Sequence, residues 1–248
     1  MSTVIRFDRV SKLYPRYHHL SGGFKNFIFN LRSSIRNMRN DRFSALEDVT
    51  FSIAKGESVA FVGRNGAGKS TTLGLIAQVL IPSTGSVTVS GRVSPLLELG
   101  GGFHPDLSGI ENIQLNGVLM GLSRKQVKDR MEAIIDFAEL GEFIEQPIRT
   151  YSSGMLSRLG FSVIANLEPE ILLIDEVLAV GDASFQAKCL SKITEFKKSG
   201  VTIVLVSHSE QDILKVCDRA IWIENRRLRM DGTASNVMDA YRASGVHS

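Results

Sequence analysis

Two segments near the start of the chain alternate in part between apolar and polar residues. They span residues 4–10 and 49–53, and the second runs into the turn Lys55-Gly56-Glu57. Alternation with a period of two is typical of a strand that buries one face. We therefore predict a small antiparallel layer formed by these two strands.

Three other short runs are apolar almost throughout, at residues 58–62, 171–174 and 201–206. The first leads into a glycine-rich turn and a helix-like stretch at 71–79, and the other two end in polar residues. Such runs are typical of strands buried on both faces of a sheet. Because they alternate with helices, they predict an α/β fold built on a mainly parallel sheet.

From about residue 107 to 167 the apolar positions recur with helical spacing. The clearest stripe consists of Val127, Met131, Ile134, Ile135 and Ala138. This periodicity predicts a helical subdomain at about 103–167. A chain of 248 residues suits one substantial core. We therefore expect a single domain over 1–248 that contains this subdomain and ends in a helical stretch at about 234–243.

Composition narrows the class of protein. Hydrophobic residues at 43% and charged residues at 22% are ordinary for a soluble globular protein. No aliphatic run is longer than the four residues at 171–174, far short of the roughly 20 residues that cross a bilayer. The start of the chain lacks a secretory signal, so we expect residence in the cytosol. A net charge of +3 is too small to indicate a nucleic-acid partner. Cys189 and Cys217 lack Cys-x-x-Cys spacing, so we interpret them as ordinary thiols rather than metal ligands or a disulfide framework.

A phosphate-binding motif follows the first buried strand. The stretch fits G-x-x-x-x-G-K-[ST] and reads Gly63-Arg64-Asn65-Gly66-Ala67-Gly68-Lys69-Ser70, followed by Thr71. Glycines allow the backbone N–H groups to curl around phosphates, and the N-terminus of the next helix adds favourable electrostatics. We expect Lys69 to contact the β- and γ-phosphates and Ser70 to supply its hydroxyl to Mg²⁺. These nine residues are the predicted nucleotide-binding loop.

Two carboxylates, Asp175 and Glu176, end the strand at 171–174, at the edge where α/β sheets place their ligands. Asp175 is suited to hold Mg²⁺ through its water shell, and Glu176 to polarise the water that attacks the γ-phosphate. A strand that ends in Asp-Glu is, by itself, more often only a solvated strand end. Its pairing with the glycine loop favours the catalytic interpretation.

Further motifs resemble those of the ABC ATPases, whose P-loop NTPase (RecA-like) core carries an N-terminal antiparallel layer and an inserted helical subdomain. The residues Tyr151-Ser152-Ser153-Gly154-Met155 look like a variant of the family signature Leu-Ser-Gly-Gly-Gln, and Arg158 falls where the family commonly has arginine. Three other residues match family positions, namely Asp182 in the D-loop, His208 as the switch histidine and Tyr14 as the aromatic that stacks on adenine. The ordered motifs cover essentially the whole chain.

The resemblance implies ATP and Mg²⁺ as cofactors and a homodimer in which each signature closes over ATP held by the other subunit. A physical reason agrees with it, because Ser152 and the Gly154 N–H at a helix start could bind the γ-phosphate only from a facing surface. His208 would sense the γ-phosphate, a role that rests on the family order alone. One position departs from the family. Residues 96–103 contain no glutamine, and Glu98 could partly substitute as a Mg²⁺ ligand or have a structural role.

Residues 96–109, the variant signature and residues 176–182 together resemble the ATPases of bacterial polysaccharide exporters. This resemblance implies an integral membrane permease as partner, a lipid-linked glycan as cargo and a peripheral place at the cytoplasmic face of the inner membrane. O-antigen is the expected cargo, with capsule polysaccharide and teichoic acid as rivals. Importer subunits and soluble ABC ATPases fit less well. We expect cargo recognition chiefly in the permease, because the chain leaves no room for a glycan-binding domain after its final helix.

A basic insertion is predicted at about 15–44. Within it, the apolar positions Phe24, Ile28, Leu31, Ile35 and Met38 recur at helical spacing. A basic stripe runs beside them, formed by Lys25, Arg32, Arg36 and Arg39. The pattern predicts an amphipathic helix. It either docks on the protein's own core or contacts the membrane partner or anionic head groups.

Overall fold

The computed structural model describes residues 2–15, 42–96, 102–167, 169–175 and 181–245. Its first sheet has three antiparallel strands, with β1 (Thr3–Pro15) between β2 (Arg42–Ala54) and β4 (Thr84–Val89). The predicted antiparallel layer is confirmed, although both of its strands extend well beyond the alternating segments. One face is buried, and Phe7 of β1 stacks on Phe51 of β2 with the ring centroids 4.4 Å apart.

The second sheet is the predicted parallel sheet. Its strands lie in the order β5 (Val93–Leu96), β6 (Ile171–Asp175), β7 (Thr202–Val206), β3 (Ser58–Val62), β8 (Arg219–Glu224) and β9 (Arg227–Thr233). The first five are parallel, and β9 pairs antiparallel with β8. All residues of β3 and β7 are buried, which explains why their sequences are apolar without alternation.

Both faces of this sheet are covered. Phe61, Leu173 and Val204 pack toward a cluster that includes the first sheet, whereas Ala60 and Leu205 belong to a second cluster formed with the helices. The helices around the parallel strands are α1 (Lys69–Ile76), α5 (Ala183–Lys198), α6 (Glu210–Val216) and α7 (Ala234–Ala243). The last one matches the predicted final helical stretch.

Residues 102–167 are helical, as their periodicity predicts. They form α2 (Gly109–Leu119), α3 (Arg124–Ala138) and α4 (Ser153–Ala165), with short 3₁₀ turns at Gly141–Glu145 and Ile148–Thr150. Capping boxes start α2 at Ser108 and α3 at Ser123, where each serine accepts a hydrogen bond from the N–H three residues later. The predicted stripe on α3 faces the core, with Val127, Ile134 and Ala138 buried and Met131 and Ile135 partly buried.

The boundaries of the predicted basic insertion change. Pro15 ends β1 and pairs with Arg42 at the start of β2, so residues 42–44 belong to a strand. The remainder of that insertion, residues 16–41, lies outside the described residues, as does its amphipathic pattern. Within the ranges that are described, no helix is both long and apolar enough to cross a membrane.

Candidate nucleotide-binding site

The loop between β3 and α1 adopts a backbone that requires glycine at two positions. Gly63 has φ 146°, and a Cβ there would lie 2.2 Å from the carbonyl oxygen of Ile223. Gly68 has φ 112°, and a Cβ there would lie 2.6 Å from the carbonyl oxygen of Ala45. The backbones of β8 and β2 therefore lie too close to this turn for any side chain at these two positions, and only glycine fits. The motif is built as the sequence predicts, between a buried strand and a helix.

Lys69 is the first residue of α1, and its side chain is buried against the loop. Its Nζ donates to the carbonyl oxygens of Gly63 at 2.6 Å and Arg64 at 3.1 Å. These contacts fold the ammonium group back over the loop, where it adds a positive charge to the N-terminal end of the helix. Ser70 follows in the same first turn and is exposed, so its hydroxyl is accessible from the pocket.

A pocket of about 200 Å³ opens beside this loop. Its lining combines two aromatic rings with the phosphate-binding residues: Tyr14, Phe43, Ala45, Asn65, Gly66, Gly68, Lys69, Ser70 and Thr71. Tyr14, which the sequence predicts for adenine stacking, is one of the lining residues. Phe43 was missed. The signal that could have found it was an aromatic residue just upstream of the second predicted strand, which the strand pairing brings opposite Tyr14.

Cations contact both aromatic rings. The guanidinium carbon of Arg226 lies 5.0 Å from the centroid of Phe43, and Lys12 Nζ lies 5.1 Å from the centroid of Tyr14. Arg226 also forms an ion pair with Glu47, whose carboxyl pKa is lowered mainly by the neighbouring Arg227. These contacts favour fixed orientations of the two rings that line the pocket.

Other predicted residues meet at the same edge of the parallel sheet. Asp175 ends β6 beside Val206, and His208 follows β7, which lies between β6 and the strand that carries the glycine loop. The loops that follow the carboxyl ends of these three neighbouring strands therefore lie at the same edge of the sheet. Asp175 is half-buried and His208 is exposed. Two predicted members of the site, Glu98 and Glu176, lie outside the described residues.

The oxygen donors at this edge fit a magnesium ion. Ser70 contributes a hydroxyl and Asp175 a carboxylate, and both are the hard oxygen ligands that Mg²⁺ prefers when the phosphates of a nucleotide and water complete its shell. Among the described residues no cluster of three or more His, Cys, Asp or Glu side chains is suited to hold a metal by itself.

The signature residues lie on a separate element. Ser152 is the N-cap of α4, and its hydroxyl accepts a hydrogen bond from the Met155 N–H at 3.2 Å. Ser153 and Gly154 are the first two residues of the helix, so their N–H groups have no partner within it. A Cβ on Gly154 would meet only Ser152 Oγ, at 3.8 Å. In the part of the chain that the structure describes, these residues do not line the pocket beside the glycine loop.

An ion pair joins the signature helix to the D-loop. Arg158 Nη2 lies 2.6 Å from Asp182 Oδ2, and Asp182 is the N-cap of α5. Hydrogen bonds from the Ser184 hydroxyl and the Phe185 N–H, together with the Arg158 charge, lower the pKa of Asp182 from 3.8 to about 2. The sequence identified Arg158 and Asp182 separately. No sequence signal joined them, because they are 24 residues apart on different helices.

A strand, a glycine loop closed by Lys69, and the carboxylate Asp175 on a nearby strand end define a P-loop nucleoside triphosphatase. A family model described as ABC transporter matches residues 46–179. The O-antigen export system ATP-binding protein RfbB of Klebsiella pneumoniae is 58% identical over 242 residues, covering 98% of both chains. The chain therefore belongs to the ABC transporter family, as its motifs predict.

More distant relatives fall in the predicted branch or share the fold. The teichoic acids export ATP-binding protein TagH of Bacillus cereus is 41% identical over 98% of this chain and 43% of its own length. Among solved structures, an ATP binding subunit of an ABC transporter has a TM-score of 0.76 at 23% identity, covering 98% of this chain and 95% of that one. A dimeric ATP-binding cassette bound to ADP and Pi has a TM-score of 0.73 at 19% identity, covering 93% and 98%. These structures confirm the fold.

Proposed function

We propose that this chain is the ATP-hydrolysing subunit of an exporter that moves a lipid-linked polysaccharide, namely O-antigen, across the bacterial inner membrane. The observation that carries the proposal is the 58% identity with the Klebsiella pneumoniae O-antigen export ATP-binding protein over 98% of both chains. The glycine loop, the aromatic pocket and the strand-end carboxylate support ATP as the nucleotide.

In this proposal, different described residues contact the base, the phosphates and the magnesium ion of the nucleotide. Tyr14 and Phe43 hold the base, and the loop N–H groups with Lys69 hold the phosphates. Ser70 and Asp175 supply oxygens for Mg²⁺, which offsets the negative charge of the phosphates when it is bound. By the same proposal, Glu176 polarises the attacking water and His208 contacts the γ-phosphate.

A second subunit completes the site in this proposal. The signature residues at the start of α4 expose helix N–H groups, which favour an anion, yet they do not line the pocket of their own chain among the described residues. A head-to-tail homodimer would place this helix start over the nucleotide of the partner. The dimeric cassette with the same fold supports such an assembly.

The proposal includes an integral membrane permease as the partner that carries the glycan, and a peripheral position at the cytoplasmic face of the inner membrane. Relatives named as export system ATP-binding proteins support it. Nucleic acid has no part in this function, in keeping with the small net charge.

Teichoic acid export is the second candidate. It is favoured by 41% identity with the Bacillus cereus TagH protein over 98% of this chain. We rank it lower because the identity with the O-antigen relative is higher and that match covers almost the whole relative. Capsule polysaccharide export remains the third member of the predicted branch.

Deleting the gene in its host cell tests the cargo. The expected result is loss of O-antigen from the cell surface with lipid-linked glycan retained inside, because ATP no longer drives transport. The unchanged protein should restore export, whereas Glu176→Gln should bind ATP without restoring it. Normal surface O-antigen after deletion would contradict the cargo, and loss of a different surface glycan would favour a rival in the branch.

A further inference from the structure

We infer that Arg226, in the turn between β8 and β9, is a positioning residue for the base of the nucleotide, because it orients the ring of Phe43. The inference rests on the proposed function, since it takes ATP as the nucleotide. Its basis is the distance of 5.0 Å between the guanidinium carbon of Arg226 and the centroid of the Phe43 ring. Among the described residues, Phe43 lines the pocket beside the glycine loop and Arg226 does not, so the arginine acts through the ring.

The backbone of this turn is unfavourable for arginine. Only Asn225 and Arg226 separate the paired residues Glu224 and Arg227, and their φ angles are 48° and 69°. Two-residue hairpin turns with positive φ at both positions strongly prefer asparagine followed by glycine. Arginine at the second position has a steric cost that glycine would avoid. Such a residue persists where its surroundings hold it, which directs attention to the contacts of Arg226.

The contacts of Arg226 tie the turn to β2. Its carbonyl oxygen accepts a hydrogen bond from the Glu47 N–H at 2.8 Å, and its Nη1 lies 3.4 Å from Glu47 Oε1. The side chain of Arg226 is 41% exposed, so the ion pair by itself contributes little to stability. The planar guanidinium over the Phe43 ring is the contact that restricts the orientation of the ring.

The next residue, Arg227, shares the ion pair and lacks the ring contact. Its Nη2 lies 3.2 Å from Glu47 Oε2, and its side chain is 69% exposed. Within the described part of the chain, Arg227 makes no cation–π contact. Substitution of Arg227 therefore removes a positive charge from Glu47 and leaves the Arg226–Phe43 contact in place. It is the matched control for substitution of Arg226.

The opposite aromatic wall is held from a different segment. Lys12 Nζ lies 5.1 Å from the centroid of the Tyr14 ring and donates to the Ile81 carbonyl oxygen at 2.8 Å. Ile81 follows α1 in the chain, far from the turn between β8 and β9. Loss of the Arg226 side chain should therefore release Phe43 and leave Tyr14 in its place. The expected effect is a partial loss of base binding.

The test compares Arg226→Gly with Arg227→Gln in the full chain. Glycine suits the φ of 69°, so Arg226→Gly should fold with a melting temperature no lower than that of Arg227→Gln. We expect Arg226→Gly to raise the Kd for ATP about three- to fivefold, the effect of a cation–ring contact that is partly exposed to solvent. The Kd for inorganic triphosphate should not change, because the glycine loop is unaltered. Arg227→Gln should leave both Kd values unchanged.

A double variant tests whether Arg226 acts through Phe43. Once the ring is absent in Phe43→Ala, the arginine has nothing to orient, so adding Arg226→Gly should not raise the Kd for ATP further. A further rise in the double variant would overturn the inference. The same conclusion follows if Arg226→Gly binds ATP as tightly as the unchanged protein, or if it weakens ATP and triphosphate equally.

A rise of the Kd for ATP in Arg227→Gln that equals the rise in Arg226→Gly would also overturn it, because the charge at Glu47 would then explain the effect. A different result bears on the proposed function. If the unchanged protein binds ATP no more tightly than inorganic triphosphate, the assignment of the aromatic pocket to the base is wrong, and this inference with it.

Discussion

Tyr14 of β1 and Phe43 of β2 lie directly opposite each other in the antiparallel pair, and both rings line the pocket beside the glycine loop. Cross-strand neighbours of this kind are close enough for their side chains to act together. The pocket therefore has two aromatic walls supplied by one strand pair. Residues 16–41 separate these two strand ends along the chain.

We predict that Phe43→Ala weakens ATP binding about tenfold, roughly the value of one aromatic–base contact of about 1.4 kcal/mol. Binding of inorganic triphosphate should be unchanged, because the loop that holds the phosphates is not altered. Titration of both ligands by calorimetry measures the difference, and Phe43→Tyr is the control that keeps the ring. Equal weakening of both ligands would show that Phe43 supports the loop rather than the base.

Gly63 and Gly66 offer a matched pair of substitutions in the loop. Gly63→Ala forces a Cβ to within 2.2 Å of the Ile223 carbonyl oxygen, whereas a Cβ at Gly66 has no neighbour within 4 Å. Gly66→Ala has only the strain of φ 77°, about 1 kcal/mol. We expect Gly63→Ala to lower the free energy of unfolding by about 3 kcal/mol, as overpacking does. Urea denaturation without nucleotide measures both, and similar losses would contradict this account of the loop.

Mixing two defective variants tests the shared site. Lys69→Ala removes the ammonium group that closes the loop, so it should lose ATP affinity. Ser152→Arg places a long, bulky side chain at the start of α4, so it should block closure of the dimer. ATP binding should be retained, because Ser152 does not line the pocket beside the glycine loop. In a mixed dimer one of the two composite sites is free of both substitutions. ATP hydrolysis above that of either variant alone is expected, and no recovery would count against completion of the site by a second subunit.

The lowered pKa of Asp182 predicts how the stability of the fold changes at acidic pH. Its pKa is about 2 in the folded chain against an ordinary value of 3.8, so the folded state prefers the carboxylate. Its contribution to stability is present above about pH 4 and is lost as the pH falls toward 2. In Asp182→Asn this contribution is absent at every pH. The urea midpoint of the unchanged protein should therefore fall more steeply between pH 4 and pH 2 than that of Asp182→Asn, and parallel curves would contradict the assignment.

Three of the six strands of the second sheet, β3, β6 and β7, could be predicted because their apolar signals are local. The strand Ser58–Val62 and the helix Ala234–Ala243 have the bounds that the apolar pattern indicates. The stripe on α3 was also placed correctly, since burial of one helix face repeats every three to four residues. The third strand of the first sheet, β4, was not predicted. Its residues are mostly exposed, so its sequence carries no clear apolar period.

Three predicted features concern residues that the structure does not describe, so they stay predictions. Glu98 as a magnesium ligand, Glu176 as the catalytic base and the basic stripe at Lys25, Arg32, Arg36 and Arg39 all fall outside the described residues. The structure corrects only the bounds of the predicted basic insertion at about 15–44, because residues 42–44 pair with the end of β1.

By itself the sequence determined the phosphate-binding loop, the strand that ends in Asp175, the signature at the start of α4 and the family to which the chain belongs. Each of these is a contiguous motif whose chemistry depends on neighbouring residues. Only the tertiary structure decided that Phe43 stands beside Tyr14 and that Arg158 reaches Asp182. Those pairs form between residues that are 24 or more positions apart, and strand register and helix packing, rather than local spacing, bring such side chains together.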